Sequence, residues 1–244
     1  MTVRIKRRTF VGRLFLGIAL LGLPLPQWVC RAAAGKKPPR KEAFMKLPPV
    51  ATNGAVSVEA ALQRRRTVRT YGSKAFDLPQ LAQLMWAAQG ITGKRGFKRA
   101  APSAGALYPM DVYAVIGEAA VHSLNAGIYH YTPEKHALDL VAAGDFRSGV
   151  AGACLSQQWM AQAPLNVVIT AEYDRARRKY GQRAVRYAMI EAGHIGQNLF
   201  LQAEALGLRA GIVGAFNDGD LQHAMRIPPA HEPLLVMPVG YEGR

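Results

Sequence analysis

The sequence predicts an α+β fold. Helical and strand-like patterns follow one another without the regular strand–helix–strand alternation that builds a doubly wound parallel sheet. Residues 164–173, PLNVVITAEY, carry a continuous apolar run that is typical of a central strand buried on both faces. With 244 residues, half of them hydrophobic, the chain is long enough to bury a sizeable core.

The N-terminus predicts a secretory signal. Residues 1–34 contain six Lys or Arg and no acid, with an apolar run from Leu14 to Leu25 followed by RAAA, which is the order of a signal peptide and its cleavage site. The run has 12 residues, too few to cross about 30 Å of hydrocarbon as a helix. We expect cleavage after Ala34. Because six cations leave with the signal, the formal charge then falls from +15 to +9.

Arg7 to Val11, RRTFV, has the arginine pair of a twin-arginine export signal. Lys6 and Gly12 depart from the usual pattern, and an ordinary secretory signal with clustered arginines is the alternative. Cys30 could instead carry a lipid, but the PQWVC sequence around it is a poor lipidation signal. We expect export by the twin-arginine route to the periplasm, with membrane contact only during export.

Residues 35–55 are rich in Pro, Lys and Gly and predict an extended linker, so the folded domain is expected over 56–244. Its first helix begins at Ser57, whose hydroxyl can cap the first turn. The next helix begins after Asp77 and ends at Gly90, with an apolar stripe between them.

The later elements follow from apolar periodicity and from turn residues. In chain order they are a strand at 111–117, a hairpin over 126–144, a helical segment at 145–163, the central strand at 164–173, a long helix at 180–207, a strand at 209–216, a helix at 218–227 and a last strand at 233–241. The long helix has the strongest pattern, since Tyr187, Ile190, Ile195 and Leu199 recur near helical spacing.

The sequence lacks the motifs of several classes of catalytic, nucleotide-binding and metal-binding sites. The chain has no GxSxG, P-loop or GxGxxG pattern and no HExxH or CxxC spacing, so we expect no metal site. Cys154 is left alone once Cys30 is removed with the signal, and we expect it to be a small core residue. The basic residues are scattered and come without a nucleic-acid-binding signature, so no nucleic acid partner is predicted.

Three separated segments together suit a phosphate-bearing ring. RRRTVRTY, residues 64–71, offers guanidiniums that grip phosphate bidentately. PSAGALYP, residues 102–109, offers small side chains against which a flat ring can lie, with Ser103 as a hydrogen bonder. GIVGAF, residues 211–216, offers backbone groups flanked by glycine. Taken singly, the three are also compatible with a solvated basic face, a turn and a packed strand.

In this order, these three segments resemble the flavin-dependent nitroreductase family. The resemblance includes the stretch between the first two segments, LPQLAQLMWAAQGITG, and the stretch between the last two, KYGQRAVRYAMIEAGHIGQNLFLQAEALG. The resemblance covers about residues 56–241 and looks closest to the azoline-dehydrogenase (SagB-type) branch, whose members act on thiazole- and oxazole-modified peptides. It implies an α+β fold with a central, mostly antiparallel sheet flanked by helices. It also implies a homodimer with one FMN per subunit at the dimer interface.

The resemblance also assigns site residues. The residues that match the family's phosphate and ribityl contacts are Arg65, Arg66 and Thr67, with Arg69 as a further candidate. The residues that match the segment along the flavin are Pro102, Ser103, Ala104 and Gly105, with Leu107 and Tyr108 next to them. The residues that match the segment near the flavin N5 edge are Val213, Gly214 and Ala215. Many family members continue into a basic tail that helps bind the phosphate, whereas this chain ends PVGYEGR, with Arg244 alone. Phosphate binding is therefore expected to depend on Arg65 and Arg66.

Lys179 and Tyr180 match a Lys–Tyr pair of the azoline branch, and either could hold or relay a proton. The alternative is a solvent-facing helix start, because RARRKYG is a charged run. His194, mid-helix between Gly193 and Gly196, is expected in the core or at a subunit contact rather than in catalysis.

Together these points predict an exported FMN-dependent oxidoreductase that transfers electrons between an unidentified donor and a small organic or quinone-like acceptor. Because no free NAD(P)H pool exists outside the inner membrane, the other redox partner is expected to be a quinone, a redox protein or a small oxidisable substrate. The alternatives are a non-catalytic FMN-binding or partner-scaffolding protein, and a peptide azoline dehydrogenase, which would need cytoplasmic partners.

Overall fold

The structure, a computed structural model, describes residues 44–93 and 96–243. The predicted signal at 1–34 and the terminal Arg244 lie outside the described residues. Within the described ranges, no helix combines the length and the apolar character that crossing a membrane requires.

The predicted α+β fold is confirmed. The helices are α1 (Val58–Arg64), α2 (Leu78–Gln89), α3 (Arg147–Ala153), α4 (Trp159–Gln162), α5 (Asp174–Tyr180), α6 (Arg183–Ala205) and α7 (Asp218–Met225). The strands are β1 (Phe44–Lys46), β2 (Met110–Ile116), β3 (Gly127–Thr132), β4 (Ala137–Ala143), β5 (Leu165–Ala171), β6 (Arg209–Ala210) and β7 (Glu232–Gly240). A 3₁₀ turn at Ala104–Ala106 precedes β2.

The described strands form one sheet in the order β1-β4-β3-β2-β5-β7-β6. Every strand pair in it is antiparallel, as expected for the central sheet. β2 and β5 pair along their whole length, from Met110 opposite Ala171 to Ile116 opposite Leu165. Both are buried at every position, which explains the continuous apolar run of β5.

Helices cover both faces of the sheet, and alternate strand residues supply the two cores. On one face α2 and α6 pack against Val112 and Val167. On the other face α3, α4 and α7 pack against Val115 and Val168. Cys154 is fully buried in this second core, where burial raises the pKa of its thiol to about 11. Its prediction as a small core residue is confirmed.

The predicted long helix over 180–207 is divided near its start. Gly181, with φ of 53°, ends α5, and the chain begins again as α6 at Arg183. Glycine adopts this left-handed conformation at little cost, so it is suited to end a helix and redirect the chain. The break leaves Lys179 and Tyr180 in the last turn of α5.

Three other elements differ from their predicted extents. The helical segment at 145–163 is split into α3 and α4 by Leu155 and Ser156, whose φ angles of 54° and 58° leave the helical region. The strand at 209–216 is regular only in β6, and beyond it Val213 forms an isolated bridge to Val236 of β7. Residues 44–46, inside the span predicted as a linker, form β1 and pair with β4.

Candidate functional site

The segment predicted to lie along the flavin, Pro102 to Tyr108, is a tight turn at the start of β2. Its backbone has positive φ at Gly105 (60°), Ala106 (55°) and Tyr108 (46°). Positive φ suits glycine but is uncommon for other residues, and such positions concentrate at functional sites. The Ser103 Oγ closes the turn by accepting a hydrogen bond from the Tyr108 N–H at 2.9 Å. The outer side of the turn is open, because Pro102 and Gly105 are exposed.

The inner side of this turn is held by neighbouring side chains. Ala104 and Leu107 are half-buried. The Arg99 guanidinium lies over the ring of Tyr108, with 4.5 Å between its Cζ and the ring centroid. The Tyr108 hydroxyl accepts a hydrogen bond from the Arg99 N–H at 3.2 Å. These contacts on the inner side of the turn hold its backbone conformation.

Lys179 and Tyr180 meet this turn at Gly105. A Cβ on Gly105 would lie 2.6 Å from the Tyr180 hydroxyl oxygen and 3.0 Å from Lys179 Nζ, so no side chain fits there without displacing them. The Tyr180 ring stands edge-on to the ring of Tyr187 at a centroid distance of 5.1 Å, which orients it. The predicted flavin segment and the predicted Lys–Tyr pair, which are distant in sequence, therefore lie together.

The basic segment predicted to bind phosphate follows α1. The Arg65 guanidinium lies over the ring of Phe200 in α6 at 5.2 Å, and that of Arg69 lies over Trp159 at 5.9 Å. The Arg66 guanidinium donates to two backbone carbonyls of its own segment, at 3.0 and 2.8 Å. None of the described carboxylates pairs with these three arginines. Their positive charge is therefore available to an anion.

The third predicted segment lies beside this basic one. Thr67 forms a parallel bridge with Ala210, which ties the basic segment to β6. Val213 is buried and bridges β7, whereas Gly214 and Ala215 beyond it are exposed. A Cβ on Gly214 would meet no atom within 4 Å, so the backbone there is open to a ligand.

The predicted site residues thus form two groups in the chain. The basic group comprises residues 65–69 and 213–215, and the turn group comprises residues 102–108 with 179–180. The groups contact different halves of α6, since Arg65 lies over Phe200 and the Tyr180 ring packs on Tyr187. Thirteen residues separate these two positions, or about 20 Å of helix.

Both groups suit parts of a flavin nucleotide. The arginines of the basic group are unpaired with acids among the described residues and can bind phosphate oxygens. At Gly214 the absence of a side chain leaves the backbone open to a flat ring, whereas at Gly105 it makes room for the Tyr180 hydroxyl and Lys179 Nζ. The residues present therefore fit FMN.

Glu191 in α6 is a candidate that the sequence reasoning missed. Its side chain is buried and accepts a hydrogen bond from Gln89 Nε2 at 3.0 Å. Burial raises the pKa of this carboxyl to about 7, although the Ser103 hydroxyl, the Gln89 amide and the Arg99 charge oppose the rise. The sequence held a signal, because Glu191 lies one helical turn from the buried Ile195 and so places an acid on an apolar face.

A second polar cluster surrounds Asp111 in β2. His130 Nε2 donates to Asp111 Oδ1 at 2.9 Å, and Arg175 pairs with Asp111 Oδ2 at 2.8 Å and with Glu172 at 2.6 Å. Burial raises the pKa of Asp111, but the hydrogen bond from His130 and the Arg175 charge outweigh it, so the pKa is lowered. Asp111, Glu172 and His231 bring possible ligand atoms within 4.8 Å of one another. Because Arg175 already pairs with both acids, the cluster is an ion-pair network.

One face of α6 is exposed and partly apolar. Met189 and Ile190 are 54% and 49% exposed, and Gly193 and His194 continue the same face one turn later. A Cβ on Gly193 would meet no atom within 4 Å. His194 is therefore not a core residue, and of the two positions predicted for it only the subunit contact is compatible with its exposure.

The sequence profile described as "Nitroreductase family" matches residues 62–241, which include both groups of site residues. The chain belongs to the nitroreductase family. A relative from Methanocaldococcus jannaschii, named "Putative nitroreductase MJ1384", is 40% identical over 185 residues, covering 76% of this chain and 91% of the relative.

Two further proteins are similar to this chain. The microcin B17-processing protein McbC of Escherichia coli is 28% identical over 135 residues, which are 53% of this chain and 49% of McbC. The crystal structure of a "putative nitroreductase (reut_a1228)" from Ralstonia eutropha superposes with a TM-score of 0.71 and 28% identity, covering 82% of this chain and 90% of that one. The expected nitroreductase fold is confirmed by this likeness.

Proposed function

We propose that the protein is an FMN-dependent oxidoreductase that acts on a small organic or quinone-like substrate. The contact between Gly105 and the Lys179–Tyr180 pair carries this proposal, in a chain that belongs to the nitroreductase family. It places two ionisable side chains beside an open backbone turn, which is where a proton is needed if a redox ring lies on that turn.

Both groups of residues would hold FMN. Arg65 and Arg66, with Arg69 beside them, would bind the phosphate, since guanidiniums bind phosphate oxygens through paired N–H groups. Ser103 to Gly105 would lie along the ring, and Val213 to Ala215 would lie at its edge. FMN, when bound, supplies the electron-transfer chemistry, while the protein supplies position and electrostatics.

Lys179 and Tyr180 would hold and move a proton at the open side of the turn. Lys179 is exposed to water, whereas Tyr180 is half-buried with its hydroxyl at Gly105. Lys179 Nζ lies 5.4 Å from the centroid of the Tyr180 ring, so the two side chains stand next to each other at the turn. Tyr180 would therefore donate a proton to the substrate, or accept one from it, and exchange it with water beside Lys179.

We also propose a homodimer formed through the exposed face of α6. An exposed apolar patch marks an interaction surface, and a symmetric dimer uses the same patch on both copies. Met189 and Ile190 supply apolar area there, and Gly193 lets a second helix approach closely. The basic group and the turn group contact different halves of α6. In a symmetric dimer formed through this face, the basic group of each subunit would therefore lie towards the turn group of its partner.

A peptide azoline dehydrogenase is the second candidate. The likeness to McbC, a microcin B17-processing protein, and the position of the Lys179–Tyr180 pair favour it. The chain spans about half the length of McbC in this match. Incubation with a thiazoline-containing peptide tests it, and a mass loss of two hydrogens from the peptide is the expected product.

We further propose export to the periplasm by the twin-arginine route, on the RRTFV sequence. This location would leave NAD(P)H out of reach and favour a quinone or a redox protein as electron donor. Arg7→Lys together with Arg8→Lys should keep the protein in the cytoplasm, whereas the native chain should fractionate with the periplasm. Periplasmic recovery of the double variant in native amount would contradict this route.

The decisive experiment is purification of the native protein with its visible spectrum and identification of the released cofactor. We expect FMN, slow reduction by NADH and NADPH under anaerobic conditions, fast reduction by a quinol or redox protein, and turnover of a nitroaromatic or quinone. A protein without flavin would contradict the proposal. Bound FMN without turnover of any tested substrate would favour a non-catalytic flavoprotein.

A further inference from the structure

A cluster of positive charges adjoins the Lys179–Tyr180 pair. Residues 175–190, where α5 ends and α6 begins, contain six Arg or Lys and no acid. Two of the six are paired with acids from outside this stretch, since Arg175 pairs with Asp111 and Arg177 pairs with Asp174. Within the described ranges, no carboxylate pairs with the other four, which are all exposed: Arg178, Lys179, Arg183 and Arg186.

Two of these cations lie on the face of α5 that meets the turn before β2. The Arg175 guanidinium reaches the turn and donates to the Tyr108 carbonyl oxygen at 3.4 Å. Arg178 and Lys179 follow Arg175 by three and four residues, so they lie on the same face of the helix. Lys179 Nζ lies 3.0 Å from the position of a Cβ on Gly105. The unpaired charge of α5 is therefore held at the turn.

Arg183 adds a charge from the start of α6. It is the first residue of that helix and precedes Tyr187 by one helical turn. The Tyr187 ring packs edge-on against the Tyr180 ring at a centroid distance of 5.1 Å, which joins the start of α6 to the end of α5. The first turn of α6 contains no acid, so its backbone N–H groups add to the positive charge. Cations of both helices thus border Tyr180, whose hydroxyl lies at Gly105.

The phosphate of the proposed cofactor does not account for this cluster. The basic group that suits the phosphate contacts α6 at Phe200, which is about 20 Å of helix away from Tyr187. The turn is instead where the ring and its reaction are proposed, so an anion that meets these cations would arrive with the substrate. Neighbouring like charges repel one another, and a bound anion offsets that repulsion.

We propose that the substrate carries an anionic group, a carboxylate, sulfonate or phosphate, which Arg178, Lys179 and Arg183 bind while its reacting part lies at the turn. Guanidinium and ammonium groups bind such anions through charge-assisted hydrogen bonds. This recognition makes and breaks no covalent bond and moves no electron. The inference rests on the proposed function, because it takes the turn to be the place of the redox reaction.

The test compares two electron acceptors that differ in charge, a naphthoquinone sulfonate and the uncharged parent naphthoquinone. The flavin of the purified holoprotein is reduced by light under anaerobic conditions, and stopped-flow absorbance gives the second-order rate constant of its reoxidation by each quinone. The ratio of the two rate constants, anionic to uncharged, should fall at least about tenfold when Arg178→Gln and Arg183→Gln are combined. Clustered charges raise encounter rates with oppositely charged partners by about 10- to 10³-fold.

Arg177→Gln is the matched control. Arg177 is exposed on the same helix, but its charge is already paired with Asp174 at 3.1 Å and it is not on the face of α5 that meets the turn. This variant removes one arginine from α5 and should keep the native ratio. Because each variant is compared with the native protein by a ratio, the difference in potential between the two quinones cancels.

Ionic strength tests the native protein without any substitution. Raising it from about 0.01 M to about 1 M shortens the screening length from about 30 Å to about 3 Å. The native ratio should then fall towards that of the double variant.

The same ratio in native protein and double variant at every ionic strength would overturn the inference alone. So would an equal loss of both rate constants, which would assign the charges to the flavin rather than to the substrate. A protein without flavin, or a reduced flavin that neither quinone reoxidises, would contradict the proposed function and this inference with it.

Discussion

The Tyr180 hydroxyl occupies the space that a side chain on Gly105 would need. A Cβ at this position would lie 2.6 Å from the hydroxyl oxygen, and the Gly105 φ of 60° is itself unfavourable for residues with a side chain. Gly105 is therefore required both for the conformation of the turn and for its contact with α5. This contact joins the proposed ring-binding surface to the proposed proton-holding pair.

Gly105→Ala should reduce FMN retention more than it reduces stability. The added methyl group displaces Tyr180 and Lys179 on the open side of the turn, while the core of the sheet is untouched. We expect at least about tenfold weaker FMN binding, with about 1 kcal/mol lost from the free energy of unfolding for the positive φ. Flavin fluorescence titration and denaturant unfolding measure the two quantities.

Gly207→Ala is the matched control for this substitution. Gly207 also has positive φ, 71°, but a Cβ there would meet no atom within 4 Å. It should lose similar stability and keep native FMN affinity. Adding Tyr180→Ala to Gly105→Ala should recover part of the FMN binding, and native affinity in Gly105→Ala alone would show that the contact has no role in binding.

Tyr180→Phe should lower turnover without releasing the cofactor. The substitution keeps the ring and its edge-on contact with Tyr187, and it removes only the hydroxyl. Because a positioned proton donor contributes about 10²- to 10⁴-fold to a rate, we expect at least a hundredfold loss of turnover. Stopped-flow measurement of flavin reoxidation by a quinone checks it, with Tyr187→Phe as the control that removes a neighbouring hydroxyl. Native rates in both Tyr180→Phe and Lys179→Ala would exclude the pair from the reaction.

Asp111→Asn should destabilise the protein at neutral pH and much less in acid. The pKa of Asp111 is lowered in the folded state, so its ionised form stabilises the fold above the unfolded-state value of about 3.8, and this contribution is lost as the pH falls through the lowered folded-state pKa. Removing one partner of a buried ion pair costs about 3 kcal/mol.

Denaturant unfolding at about pH 7 and about pH 3 measures the difference between native protein and Asp111→Asn. The control is Asp174→Asn, because Asp174 is exposed and its pair with Arg177 is worth less than about 1 kcal/mol. If Asp111→Asn is destabilised equally at both pH values, the contribution of Asp111 to the free energy of unfolding does not depend on its charge.

The sequence indicated the parts of the site that local patterns encode. The continuous apolar run of β5 and the small residues around Gly105 follow from the backbone conformations that such residues permit. The network around Asp111 could not be inferred, because His130 and Arg175 reach it from other elements. Glu191 was missed for a related reason, since an acid in a helix is ordinarily solvated and only the packing of α2 on α6 shows that it is buried.

Ile190→Lys should dissociate the proposed homodimer. Ile190 is 49% exposed on the face of α6 that also carries Met189 and Gly193, so a charge there would be buried without a partner if a second copy packs on this face. Light scattering after size exclusion should show a dimer for the native protein and a monomer for the variant. FMN retention should fall with the dimer, because each group of site residues would lose the group supplied by the other copy. Leu155→Lys is the control, since Leu155 is a 67% exposed hydrophobic residue between α3 and α4, outside this face. A native protein that is monomeric with FMN bound would show that one chain completes the site by itself.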